Sequence, residues 1–408
     1  MAWLIPASAW ATYAPVGVKY PIWLAVTTLS VAVVQQRHQW RATWCQPGPL
    51  LLLLWVAWMW ISAGWSAAPG IDRAIHAWIY ALPMGAIFIG AACPPALARR
   101  ALVHFVVVSA CVGALWVVHI HIGLPSSPLW SSTLWRSTLS STGNQRIVAS
   151  VLLALGAALA CWFVAQESGT RRKAWFALAA LLALAGLTAQ DRRSGMLLLP
   201  LLLLAWCLAL PRPLWWRARG VLAVAALAGT VWLASDDVRA RFTEGSTELS
   251  AYRSSAAVTT SWGIRLRMLE LTGEMVHERP LFGHGLGSWQ EQWERRVPLG
   301  NRLADNSTPH NDYLMVAAQA GVPAAMLMLA WLLVMMGTAV RAGTPGIAAL
   351  MVWFSVAATA LANATLRDAK FGLPLLLLAG FAMALGRRTE RLVGKLTARG
   401  DAHHVGHG

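Results

Sequence analysis

Apolar residues in this chain gather into long blocks instead of alternating with polar ones, and the blocks are separated by short polar or Pro/Gly breaks. A helix needs roughly 20 apolar residues to cross a bilayer. Marking blocks of that size gives twelve, at about 2–17, 19–35, 49–66, 74–93, 101–120, 146–166, 174–190, 195–211, 219–235, 313–337, 346–363 and 371–386. The pattern predicts an all-α, polytopic integral membrane protein with about 12 transmembrane helices and one large, partly helical outer loop. Nine spans fill residues 1–235, the loop takes 236–312, three spans take 313–386, and 387–408 form a basic tail. The first block is short and reads as either re-entrant or tilted. Within the loop, Ile264, Met268, Leu271 and Met275 recur at helical spacing, which predicts an amphipathic helix of about four turns from Ser261 to Pro280.

Composition strengthens this reading. Of the residues, 57% are apolar and 12% charged, about half the charged share of soluble chains. Cytosolic enzymes, secreted domains and disordered proteins are thereby excluded. The net charge of +16 comes from basic residues scattered singly or in twos and threes, so it implies no nucleic-acid partner. Those residues set topology instead. With the N-terminus inside, 16 Lys and Arg fall in short inner connections and the tail, against 8 in short outer ones. The long loop then lies outside, carrying 11 of the 17 acidic residues. Many of the 24 tryptophans lie near block ends, where indole favours the headgroup level. Membrane lipids are therefore partners along the whole chain, and the basic tail is placed to meet anionic headgroups, although a solvated tail explains it equally.

The five cysteines lie in or beside apolar blocks and show neither a disulfide framework nor a thiolate metal site. The start lacks a basic leader and runs on into further apolar sequence, which predicts an uncleaved first anchor. His403, His404 and His407 sit in a flexible, glycine-containing end with no second shell to orient them, so no metal is assigned.

Five places are candidates for chemistry. Arg192 and Arg193 are adjacent arginines in an outer turn, against the positive-inside bias. Either Asp191 neutralises one while the other snorkels, or they bind an anion such as a phosphate at the membrane surface. Arg265 and Arg267 occupy the first turn of the loop helix, where the macrodipole disfavours cations by about 0.3 to 1 kcal/mol each. A bound anion held by the helix amides and a guanidinium would resolve that conflict, as would pairing with acidic residues of the loop. The string Pro280 to Ser288 carries glycine at alternate positions and reads as a structural turn, with no strand before it and no helix pattern directly after, and with His284 packing inside. His310 lies in Thr308-Pro309-His310-Asn311-Asp312 where the tenth span begins. Thr308 as N-cap and Pro309 as first helical residue would place His310 in the first turn, where the dipole opposes the imidazolium and leaves a base for a hydroxyl nucleophile. The alternative is a histidine that bonds only its neighbours. Asp236 and Asp237 read as the solvated start of the loop, with a divalent cation as the alternative.

The matching pieces Arg193-Ser194-Gly195, Arg265 ahead of an amphipathic helix, Pro280-Leu281-Phe282-Gly283-His284-Gly285 and His310-Asn311-Asp312-Tyr313-Leu314, set on a dozen spans with one large late loop, resemble the O-antigen ligases. Those ligases share a region with the O-antigen polymerases and some protein O-oligosaccharyltransferases. This chain departs from the more usual Ser-Arg pair by carrying Asp191-Arg192 ahead of Arg193. The resemblance implies a glycosyltransferase of the bacterial inner membrane, with its active site on the periplasmic side. It would move polysaccharide from an undecaprenyl diphosphate-linked donor to a sugar hydroxyl of the lipid A core, without cofactor or metal. Arg192, Arg193 and Arg265 would hold the diphosphate and His310 would deprotonate the acceptor. A polymerase or protein ligase would use the same chemistry on another acceptor. A flippase for the lipid-linked glycan would also want outer arginines, but with ionisable groups at bilayer depth and internal repeats that the sequence does not show.

Overall fold

The structure is a computed structural model that describes residues 3–121, 143–189, 193–255, 260–297 and 307–404. These residues form seventeen α-helices and no strand. In chain order they are α1 Leu4–Ser8, α2 Val16–Gln36, α3 Trp40–Trp44, α4 Pro47–Ile61, α5 Gly70–Ala81, α6 Pro83–Ala92, α7 Pro95–His121, α8 Gly143–Val164, α9 Gly169–Leu184 and α10 Arg193–Ala209. There follow α11 Leu214–Ala234, α12 Asp236–Ser255, α13 Ser261–Glu278, α14 Trp289–Glu294, α15 Asp312–Arg341, α16 Ile347–Ala360 and α17 Ala369–His404. A helix satisfies its own backbone, which is what an apolar surrounding demands.

Eight stretches among the described residues are long and apolar enough to cross a membrane, and Ser194–Ala209 and Thr344–Ala360 are shorter apolar helices. The eight match the second to sixth, ninth, tenth and twelfth predicted blocks. The first block folds differently. It gives the five-residue α1 and one short 3-10 turn, Ala9–Tyr13, too little helix for a straight crossing. Downstream, α17 continues as one helix from its apolar half to His404, through most of the segment predicted to be a basic tail.

The core of the bundle is α8, buried over nearly its whole length and packed by α7, α9, α10 and α16. Small residues permit the close approach. At Gly156 any side chain would press on Ser109, and at Gly195 it would meet the Ser150 backbone. By contrast, α11 is apolar yet mostly exposed, with only Val224 buried.

Contacts join connections that the charge pattern assigns to one side. On the predicted inner side Arg99 pairs with Glu167 at 2.6 Å and the Trp162 indole donates to the Thr344 carbonyl at 3.2 Å. On the other, Lys19 Nζ donates to the Lys370 carbonyl at 3.3 Å and the Leu286 amide to the Ser62 carbonyl at 3.4 Å.

The polar stretch 236–312 is mostly helical where described. The predicted helix is α13, with Met268, Leu271 and Met275 buried against Trp289, Trp293 and Met315. The turn Pro280–Ser288 ends directly in the short α14, which the sequence reading does not anticipate. This turn is seated on a break in α15. Gly321 has φ of 84°, and Pro323 has no N–H to offer the Gln319 carbonyl. Loop amides take the freed carbonyls instead: His284 N–H donates to Ala318 at 2.9 Å and Gly285 N–H to Gln319 at 2.7 Å, while Val322 N–H turns outward to Pro280 at 2.7 Å. The Trp58 indole satisfies the Ala320 carbonyl at 2.9 Å. A side chain at Gly283 would strike the Gln319 and Ala320 backbone, and one at Gly321 the Leu281 carbonyl. The alternating glycines therefore let two backbones touch at the end of the bundle that carries His310.

Candidate active site

His310 precedes α15 instead of lying in its first turn. The N-cap is Asn311, whose side chain accepts from the Leu314 N–H at 2.9 Å, and His310 itself has φ of 52°. The reason lies in the residues that follow. Asn311 Nδ2 donates to the Leu361 carbonyl at 3.0 Å, the buried Asp312 accepts the Leu366 N–H at 2.7 Å on Oδ2, and the Tyr313 hydroxyl donates to the Ala357 carbonyl at 3.1 Å. Three consecutive side chains thus bolt the start of α15 to the end of α16 and the connection beyond it. The chain reverses at the preceding residue, which places His310 in the left-handed region that non-glycine residues rarely occupy.

The imidazole is partly buried and its pKa is lowered to about 4. Burial contributes most, then the Arg265 guanidinium, and Asp368 acts in the opposite sense. Burial and a neighbouring guanidinium, not the helix dipole, favour the neutral ring. No hydrogen bond is among the causes, so the ring answers to its surroundings and to two charged side chains.

Arg265 also lines a cavity of about 370 Å³. One wall is apolar: Ile147 of α8, Leu197, Leu198 and Leu201 of α10, and Ala358 of α16. Its polar groups are Ser194, Arg241, Glu244, Glu248, Arg265 and Asn363, with Thr359 and Trp262 beside them. An apolar trough beside cationic and hydrogen-bonding groups suits an anionic head on a hydrocarbon chain.

The amides at the start of α13 do not form the anion cradle that the sequence suggests. Trp262 N–H donates to Glu248 at 2.9 Å and Gly263 N–H to the Thr260 cap at 3.0 Å. Positive charge at the cavity comes from guanidinium groups. Arg267 takes the other course open to it, pairing with Glu270 at 3.2 Å on the exposed side of α13.

Arg193 is the first residue of α10, and its neighbour Ser194 borders the same cavity as Arg265. Arg192 lies outside the described residues. The structure thus brings the start of α10, Arg265 and His310 to one region, although they are distant in the chain. It does not do so for His284, which is 7% exposed, with Nε2 at 3.0 Å from the Met275 carbonyl; its lowered pKa comes first from burial.

The sequence reading misses α12, which brings Arg241, Glu244 and Glu248 to the cavity. Their spacing puts them on one helical face, a signal present in the sequence but unsupported by any apolar stripe. Asp236 and Asp237 open this helix in its first turn, where carboxylates suit the macrodipole, and Asp236 pairs with Arg239. Among the described residues no three His, Cys, Asp or Glu side chains gather as a metal ion would require.

Residues 178–329 match a family model described as O-antigen ligase. That segment spans α10 to α13 and the broken half of α15, and so contains Arg193, Arg265 and His310. No curated protein matches the chain.

Proposed function

We propose, from the match of residues 178–329 to the O-antigen ligase family model, that the chain is a member of that family and transfers polysaccharide from undecaprenyl diphosphate to a sugar hydroxyl of the lipid A core. In this reading the site faces the periplasm of a bacterial inner membrane, and the donor's own diphosphate bond supplies the driving force. The observation that carries the proposal is the pairing of Arg265, on the wall of a partly apolar cavity, with a histidine kept neutral beside it.

Each group has one task. The prenyl chain lies along Leu197, Leu198 and Leu201, and the diphosphate meets Arg265 together with Arg192 and Arg193, the pair the sequence singles out. His310 accepts the proton of the acceptor hydroxyl as its oxygen attacks the anomeric carbon from the face opposite the diphosphate. The bond to the diphosphate breaks as the new glycosidic bond forms, the leaving charge rests on the guanidinium groups, and configuration inverts. An imidazole titrating near 4 is a weak base. A bound diphosphate offsets the positive field of Arg265, so donor binding itself raises the basicity of His310.

The test uses purified protein in detergent, given lipid-linked glycan together with core lipid, a second lipid-linked unit or a serine-containing peptide in separate reactions. Glycan on the core lipid is the expected product. Product only on the second unit would make it a polymerase, product only on the peptide a protein ligase, and turnover with none would end the transferase reading.

A further inference from the structure

We propose that Asn363, in the connection between α16 and α17 and outside the segment that matches the family, is a donor-binding residue that gives a hydrogen bond to the diphosphate. Asn363 is 2% exposed, its Nδ2 has no hydrogen-bond partner, and it lines the cavity that Arg265 lines. A buried amide donor left without an acceptor is costly, so one that lines a cavity is placed to gain an acceptor from what fills it.

Its placement is built rather than incidental. Asn311 holds the Leu361 carbonyl at 3.0 Å and Asp312 holds the Leu366 N–H at 2.7 Å, which clamps the connection on both sides of Asn363. The residues that make these bonds directly follow His310. One frame therefore fixes the base and the amide together, as a site that orients both ends of a displacement requires.

The chemistry points to an acceptor-only ligand. The acceptors already present are engaged: Glu248 takes the Trp262 N–H at 2.9 Å and Glu244 pairs with Arg241 at 3.3 Å. Beside Arg265 the cavity keeps an amide donor with no acceptor, and a phosphate oxygen completes it where a further donor would not.

This inference rests on the proposal that the cavity takes the donor diphosphate, and binding of radiolabelled undecaprenyl diphosphate carrying no sugar separates the two. The full chain in detergent should bind it, and His310→Ala should bind it as well as the wild type. Asn363→Ala should bind about ten- to a hundredfold more weakly, the size of a hydrogen bond to a charged group, with an unchanged melting temperature. Asn363→Asp, of the same shape but bearing a negative charge and no N–H donor, should bind more weakly still, and it carries the test if the alanine variant fails to fold. Wild-type affinity in the variants would overturn the role of Asn363 alone. Absence of binding by the wild type would overturn the diphosphate assignment with it.

Discussion

His284 and His310 belong to the same polar stretch, and burial lowers the pKa of both, yet the two segments are built for different ends. His284 is held by packing bonds: the ring Nε2 sits on the Met275 carbonyl, the backbone N–H caps the freed Ala318 carbonyl, and alternating glycines lock the turn to the break in α15. Around His310 the neighbours Asn311, Asp312 and Tyr313 absorb the anchoring bonds, and the imidazole is left to Arg265 and Asp368. A lowered pKa therefore does not mark a site by itself. His284 also faces charged groups, Arg279, Glu278 and Arg296, but its ring is bonded to the Met275 carbonyl, whereas the Arg265 that acts on His310 lines a cavity.

The sharpest way to break this contrast is to truncate each ring. His310→Ala should cut transfer by about 10² to 10⁴, the usual worth of a general base, with the melting temperature unchanged. His284→Ala should leave turnover per folded molecule near the wild-type rate while costing about 1 to 3 kcal/mol of stability, because a buried ring is lost and the Met275 carbonyl keeps only the Arg279 N–H at 3.4 Å. Initial rates and thermal unfolding on the same preparations decide it, and reversed phenotypes would exchange the two assignments.

Arg265 comes next. Its loss should lower transfer by roughly 10² to 10³, as for other donors aimed at developing charge. It should also move the acid limb of the kcat/KM profile. In the wild type His310 is neutral above about pH 4, so activity should persist to that region before falling. Arg265 disfavours the imidazolium, so its removal raises the pKa and shifts the limb upward toward the ordinary histidine value; replacing Asp368 with Asn should shift it downward. A limb that stays put in Arg265→Ala would show that the residual activity does not use His310.

The sequence discloses these features unevenly, for physical reasons. Long apolar blocks and the stripe Met268, Leu271, Met275 announce helices because burial is periodic. The start of α15 misleads because Thr308-Pro309 has the right local chemistry for a cap, and only bonds from Asn311 and Asp312 to residues near 361–366 select the later start. Those partners are remote in sequence, as is Pro280, which takes the amide that Gly321 and Pro323 disrupt. For α12 the opposite failure holds. Only Val238 and Tyr252 are buried, so no apolar period reveals the helix, and the charged face that borders the cavity reads as ordinary solvated loop.

The smallest expected effect is the most exacting test of the comparison. Arg265 and Arg267 are two residues apart on α13, which turns them to nearly opposite faces of the helix. Arg267 pairs with Glu270 at 3.2 Å, both side chains being 40% exposed or more, and such pairs contribute about 0.2 to 1 kcal/mol at most. Arg267→Ala should therefore leave transfer, the acid limb and the melting temperature close to wild type. If it lost transfer as Arg265→Ala is expected to, the effect would come from α13 as a whole or from the net charge of the loop. The cavity would then have no claim on one guanidinium over the other, and the link from Arg265 to His310 would no longer separate this histidine from the packed one.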